Sequence, residues 1–265
     1  MIKDITIGQY IPGESFIHKL DPRTKILISF LFIISLFIID KFVRYIFVVA
    51  FLALVVYIAK ISPRYLYKGL KPVFLLIALT AILNIFMLRE GRLIFHLGFI
   101  KIYESGIRTA FFMAIRLILL IMGTSVLTLT TSPIELTDGI ERLLKPIGKE
   151  IAHELAMMMT IALRFIPTLI DETDKIMKAQ KARGADFETG GLIQKAKSLI
   201  PLLVPLFISS FRRADELAMA MEARCYRGGA GRTRMKVLKF TSKDFIAFGV
   251  FALLFVSTLI VRFAI

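Results

Sequence analysis

The chain has 265 residues, of which 57% are hydrophobic, and its mean hydropathy is +0.73. Soluble domains are only about 45–50% apolar, so this composition predicts an integral membrane protein in a lipid bilayer. A formal net charge of +15 would suggest nucleic-acid binding in a soluble protein. Cytoplasmic loops of membrane proteins also collect Lys and Arg, so we expect no nucleic-acid partner. The single cysteine excludes an internal disulfide and argues against a cysteine-built metal site.

Residues 1–130 contain four apolar stretches that predict transmembrane helices, over roughly residues 26–39, 45–59, 72–88 and 107–130. Asp21 is a candidate N-cap for the first, because Pro22 then occupies the first helical position, where its missing N–H costs nothing. Between the third and fourth spans, residues 93–103 predict two short strands of a hairpin centred on Gly98.

Residues 131–243 are more polar and predict a domain of long helices without a clean stretch of about 20 apolar residues. Ser132 and Pro133 are typical of the start of its first helix. Longer helices are expected over residues 150–183, bent at Pro167, and over residues 192–224. A C-terminal region, residues 244–265, holds a fifth span over residues 245–261.

These patterns predict an all-α integral membrane protein with about five spans. The basic 60–71 loop and the excess of Lys and Arg in residues 131–243 are typical of cytoplasmic segments. We therefore expect the N-terminus and residues 131–243 to lie in the cytoplasm of a bacterial or archaeal cell.

The two long helices of the polar domain end in nearly the same residues, which indicates one supersecondary unit used twice. A last-turn arginine also suits the helix dipole, and a following glycine is an ordinary helix stop. Two matched endings favour docking sites instead, because a guanidinium fork binds carboxylates or carbonyls of a partner. The first ending is Ala182, Arg183 and Gly184, and the second is Ala223, Arg224 and Cys225.

Cys225 stands where the first ending has glycine. Because residues with a Cβ adopt the left-handed backbone conformation poorly, we expect Cys225 to remain helical and the turn to fall at Gly228 and Gly229.

Other patterns point less clearly to chemistry. The acidic run of residues 171–174 could bind Mg²⁺, but no second acidic cluster faces it, and a solvated helix face is the simpler interpretation. The histidines lack metal-ligand spacing and no ATP-binding motif is present, so we expect no catalytic residue, cofactor or metal site. Arg116 either caps the carbonyls of a neighbouring helix, reaches the membrane surface or has a functional role. Four methionines fill a core or form an adaptable contact surface: Met157, Met158, Met219 and Met221.

Motifs along nearly the whole chain resemble the transmembrane T component of energy-coupling factor (ECF) transporters, the CbiQ-like family. Residues 8–15 with 20–25 resemble its opening signature, and residues 131–136 resemble its entry into the cytoplasmic domain. Residues 163–167 with 178–184 resemble its first coupling region, and residues 211–214 with 222–224 its second. The hallmark of the family is two Ala-Arg-Gly motifs at the ends of coupling helices, and Cys225 departs from the second.

The resemblance implies a non-catalytic subunit that joins two ABC-type ATPases to a membrane-embedded S component, which captures a vitamin or other micronutrient. It implies that the two arginines dock on the ATPases and that amphipathic helix faces slide under the S component. One alternative is a T component dedicated to a cobalt, nickel or biotin system. An alternative of another class is a membrane-bound enzyme of isoprenoid or lipid diphosphates.

Overall fold

The computed structural model describes residues 10–39, 41–88, 90, 92–97, 100–187, 191–229 and 237–264. Two compact units divide the chain: one comprises Gly8–Gly139 with Leu238–Ile265, and the other includes Ile140–Val237. Helices dominate both units, which confirms the predicted fold class. The elements in chain order are α1 (Pro22–Ile38), α2 (Phe42–Ala59), α3 (Pro63–Leu70), a 3₁₀ turn (Lys71–Val73), α4 (Phe74–Met87), β1 (Leu93–Leu97), β2 (Ile100–Tyr103), α5 (Glu104–Thr130), α6 (Pro133–Leu144), α7 (Lys149–Ala182), α8 (Leu192–Ser198), α9 (Ile200–Ala223) and α10 (Ser242–Ala264).

The start of α1 confirms the predicted cap. The Asp21 carboxylate accepts a hydrogen bond from the Arg23 backbone N–H at 2.9 Å, and Pro22 lies in the first turn. The backbone N–H of Asp21 in turn donates to the carboxylate of Asp244 at 2.8 Å. Asp244 is only 1% exposed, so a buried carboxylate joins the starts of α1 and α10.

Helix α5 packs against α1, α2, α3 and α4. A Cβ on Gly106 would lie 2.9 Å from the carbonyl oxygen of Ile85, so glycine permits the close approach of α4 and α5. Further along, the Arg116 guanidinium donates to the carbonyl of Ile39 at 3.0 Å and to the Tyr45 hydroxyl at 3.2 Å. Because Ile39 is the C-cap of α1, Arg116 caps a neighbouring helix, which is one of the three roles that the sequence left open.

The predicted hairpin is also confirmed, since β1 and β2 pair antiparallel. Gly98, its expected centre, lies outside the described residues. A short stretch expected to be a basic loop, residues 60–71, instead contains α3, which begins at Pro63 and buries Leu66. Pro63 occupies the first helical position, where its missing N–H costs nothing.

Four helical segments within the described residues are long and apolar enough, by length and composition, to cross a membrane. They are α2, the run of α3 and α4, α5, and α7. The inclusion of α7 differs from the expectation that residues 131–243 hold no such stretch. The reason is the low charge of residues 155–170, where Arg164 is the single charged residue. Composition alone therefore does not separate α7 from a spanning helix.

The single helix expected over residues 192–224 is two helices, α8 and α9, which corrects the prediction. Pro201 has no N–H to donate to the carbonyl of Lys197, and its ring crowds that carbonyl. The chain tightens just before it, where the Leu199 N–H donates to the carbonyl of Ala196 at 3.3 Å.

Candidate functional site

Helices α7 and α9 lie side by side in opposite directions. Three polar contacts show this, because residue numbers fall along α7 as the numbers of their partners rise from Pro201 to Tyr226. The side-chain N–H of Gln180 donates to the Pro201 carbonyl at 3.3 Å, Arg213 pairs with Glu172 at 3.1 Å, and Nε2 of His153 lies 3.2 Å from the Tyr226 hydroxyl. The C-terminal ends of α7 and α9 therefore lie at opposite ends of the pair. Helix α9 has 24 residues, so about 36 Å separates them at ~1.5 Å per residue.

The C-terminal end of α7 is a Schellman motif. Arg183 is its C-cap, and Gly184 follows with a φ of 88°. The Gly184 N–H donates to the carbonyl of Lys181 at 3.0 Å, and the Ala185 N–H donates to the carbonyl of Gln180 at 3.0 Å. These two bonds satisfy carbonyls that have no partner inside the helix.

The C-terminal end of α9 repeats this motif bond for bond. Arg224 is its C-cap, the Cys225 N–H donates to the carbonyl of Glu222 at 2.8 Å, and the Tyr226 N–H donates to the carbonyl of Met221 at 3.0 Å. The backbone angles of the two C-caps also agree: Arg183 has φ −86° and ψ 6°, and Arg224 has φ −91° and ψ 12°.

Cys225 has a φ of 55°, so the expectation that it stays helical is wrong. Helix α9 ends at Ala223, just as α7 ends at Ala182. The left-handed turn therefore begins at Cys225, before Gly228. A left-handed residue with a Cβ costs about 1–2 kcal/mol. The two Schellman hydrogen bonds offset this cost, and Cys225 is exposed, so its side chain meets no crowding from a protein core.

Each end brings its three predicted docking residues into one exposed turn. Ala182, Arg183 and Gly184 are all exposed, and so are their counterparts in the second end. An exposed arginine offers five N–H donors to a partner. We call residues 182–184 and residues 223–225 the two arginine tips. They differ in sequence only at Gly184 and Cys225.

Comparison with known proteins identifies the family. The model of the cobalt transport protein family, CbiQ, matches residues 13–237. The chain is 68% identical to the energy-coupling factor transporter transmembrane protein EcfT of Clostridium kluyveri, over 93% of each chain. It is 60% identical to the EcfT of Thermosediminibacter oceani, over 99% of each chain. This chain belongs to the family of ECF transporter T components. The EcfT of Bacillus subtilis is 50% identical over 92% of this chain and 93% of its own.

Membership confirms the resemblance found in the motifs and favours a transporter subunit over the diphosphate enzyme. The structure gives the acidic run of this T component another role, because Glu172 pairs with Arg213 between α7 and α9. Among the described residues, no group of three or more His, Cys, Asp or Glu side chains is arranged to hold a metal ion.

An apolar stripe runs along the exposed side of α9 in the T component. Leu203, Phe207 and Phe211 follow at four-residue intervals and are exposed, Phe207 at 66%. Met219 is also exposed, at 61%, but the exposed Asp215 lies between it and Phe211. The two phenylalanines were not among the residues predicted to form a contact surface, although residues four apart share a helix face. Of the other three methionines, Met158 is exposed, and Met157 and Met221 are half-buried.

Proposed function

We propose that this T component joins two ABC-type ATPases to an S component and passes the movement driven by ATP hydrolysis to it. Arg183 and Arg224 each dock on one ATPase. The observation that supports this best is the equal geometry of the two arginine tips. Two equal tips suit a partner that presents two equal sites, and a pair of identical or similar ATPases is such a partner.

In this proposal the T component itself catalyses nothing. Residues 1–130 and 244–265 form the membrane-spanning part, while the N-terminus and residues 131–243 lie in the cytoplasm of a bacterial or archaeal cell. The excess of Lys and Arg in residues 131–243 supports this side, because cytoplasmic segments collect positive charge.

The S component contacts the exposed apolar stripe of α9 and the neighbouring methionines. Exposed aromatic side chains at four-residue spacing suit a helix that packs into the groove of a partner, and methionine adapts to partners of varied shape. The substrate is a vitamin or another micronutrient. The description of the matching family as cobalt transport proteins keeps a metal-ion system as the alternative, which co-purification of the S component would decide.

The test replaces the arginines singly and together and then measures two properties. Arg183→Ala, Arg224→Ala and the double variant should each insert into the membrane but co-purify less ATPase. Truncating a desolvated charged contact typically costs about 2–5 kcal/mol, so ATP-dependent uptake into vesicles should fall with each replacement and most in the double variant. Lysine at either position should rescue only partly, because it keeps the charge but loses the planar fork.

Lys195→Ala is a suitable control, because Lys195 is an exposed basic residue on α8 outside both tips. It should leave ATPase binding and uptake unchanged. If the double alanine variant co-purified ATPases and supported uptake as well as the natural sequence, the arginines would only be helix-capping residues and the docking proposal would be wrong.

A further inference from the structure

The second arginine tip is held by a side-chain network in addition to its backbone motif. Nε2 of His153 on α7 lies 3.2 Å from the hydroxyl of Tyr226, and Nδ1 lies 3.4 Å from a carboxylate oxygen of Glu141 on α6. Glu141 is only 7% exposed. The imidazole thus connects a buried acid on one helix to the residue that follows the second tip.

Tyr226 has two roles in this arrangement. Its backbone N–H closes the Schellman motif on the carbonyl of Met221 at 3.0 Å, and its hydroxyl reaches His153. Fixing the hydroxyl therefore fixes the peptide that ends the tip, two residues after Arg224. A flexible C-cap arginine gains a defined direction when the turn after it cannot rotate.

The packing around the imidazole is close. A Cβ on Gly229 would lie 2.7 Å from Cδ2 and 2.9 Å from Cγ of His153, so the backbone of residue 229 lies directly against the ring. A hydrogen bond on one side and backbone on the other restrict the ring to one orientation. The chain after the tip thus contacts His153 at two points, Tyr226 and Gly229.

The first arginine tip is built differently at the matching position. Ala185 closes its Schellman motif, as Tyr226 closes the second. Alanine has no hydroxyl or other polar group to bond to a neighbouring helix. The two tips therefore share one backbone geometry, and the side-chain contact that Tyr226 makes has no equivalent at Ala185.

We propose that His153 is a positioning residue that anchors the second arginine tip through Tyr226. The tip at Arg224 thereby keeps a fixed direction relative to α7. The importance of this anchor for transport rests on the proposed docking function. The anchor itself is a property of the T component alone and can be tested without any ATPase.

The test is hydrogen exchange of the purified T component in detergent, read at the amides that close the two Schellman motifs. Tyr226→Phe removes only the hydroxyl, and His153→Ala removes its partner. In both variants the amides of Cys225 and Tyr226 should exchange about two- to tenfold faster, as expected for the loss of one hydrogen bond. The amides of Gly184 and Ala185 should keep their rates.

Two further variants separate anchoring from general packing. His153→Gln keeps a donor and an acceptor and should restore part of the protection at the second tip. Gly229→Ala leaves every polar group in place but pushes against the ring, and it should speed exchange at the second tip only. Tyr67→Phe, at a tyrosine that is 70% exposed, is the matched control and should change neither tip.

Unchanged exchange at Cys225 and Tyr226 in the Tyr226→Phe variant would overturn the anchor, whatever the arginine variants do in transport. An equal increase at both tips would also overturn it, because it would show general loosening of the helix pair. Conversely, a tip-specific increase in a protein whose arginine variants transport normally would keep the anchor and remove only its role in docking.

Discussion

Cys225 shows how hydrogen bonds can impose a backbone conformation that a side chain disfavours. Cys225→Gly should stabilise the second tip, because it removes a backbone strain of about 1–2 kcal/mol. The greater conformational entropy that glycine loses on folding offsets about 0.5–1 kcal/mol of this gain. Cys225→Val should destabilise it, because a β-branched residue tolerates a positive φ least. Thermal unfolding and hydrogen exchange at Tyr226 measure both effects. Equal stability of the glycine and valine variants would contradict the left-handed geometry.

Asp244 is a second residue whose importance lies in buried polar contacts. Its carboxylate accepts from the backbone N–H of Asp21, and from the backbone N–H and hydroxyl of Thr241. Asp244→Ala leaves these donors without their acceptor, at about 1–3 kcal/mol for each that stays buried. We expect a clearly lower unfolding temperature, with Asp244→Asn intermediate. Glu14→Ala, at a side chain that is 94% exposed, should leave the unfolding temperature unchanged.

His18 makes the stability of the N-terminal segment depend on pH. Its Nδ1 lies 2.6 Å from the Ser15 hydroxyl and its Nε2 lies 3.1 Å from the Ile11 carbonyl. Burial, with a smaller contribution from the charge of Lys25, holds the pKa of His18 below its ordinary value. The folded state therefore favours the neutral ring, so this stabilisation is present above the ordinary pKa and is lost as the pH falls through the lowered one.

We expect the unfolding temperature of the T component to fall between pH 7 and pH 5, and His18→Gln to reduce that fall. Unfolding curves of both proteins at matched pH values check this. An identical pH dependence in the two proteins would assign the effect to other groups.

At the scale of whole elements, Pro201 decides that α8 and α9 are separate. Pro201→Ala restores an N–H for the Lys197 carbonyl and removes the ring that crowds it. We expect α8 and α9 to join through Leu199, with slower hydrogen exchange over residues 198–201. Pro133→Ala is a matched control, because a proline in the first helical turn interrupts no helical hydrogen bond. Unchanged exchange after Pro201→Ala would show that packing, and not proline, separates the two helices.

The elements that follow from local chemistry were predictable from the sequence. The cap at Asp21, the hairpin of β1 and β2, and the start of α6, where the Glu135 N–H donates to the Ser132 hydroxyl at 3.3 Å, each depend on residues a few positions apart. The long-range contacts were not predictable in this way. The Asp21–Asp244 and His153–Tyr226 contacts join residues 223 and 73 positions apart, and no local pattern marks them. The prediction for Cys225 was wrong because residue propensity opposes a positive φ, while the hydrogen bonds of the Schellman motif impose it.

At the scale of the whole molecule, the open question is whether α7 crosses the membrane. The answer decides on which side the segments after α7 lie. This helix is apolar enough to span a bilayer, yet the proposed function places it in the cytoplasm. If α7 spanned, α8 would lie on the opposite side from residues 145–148. If it does not, α8 shares their side, and the positive charge of residues 131–243 favours the cytoplasm for both.

Cysteine labelling of intact cells decides between these arrangements. In a Cys225→Gly background, which removes the only natural cysteine, single cysteines replace Ile94, Lys145 and Gln194, all exposed. A membrane-impermeant maleimide should label Ile94→Cys from outside, because three spans after a cytoplasmic N-terminus place the hairpin on the outer side. Lys145→Cys and Gln194→Cys should react only after permeabilisation. Labelling of Gln194→Cys together with Ile94→Cys in intact cells would show that α7 crosses the membrane. The first arginine tip, at the C-terminal end of α7, would then lie on the wrong side of the membrane for a cytoplasmic ATPase.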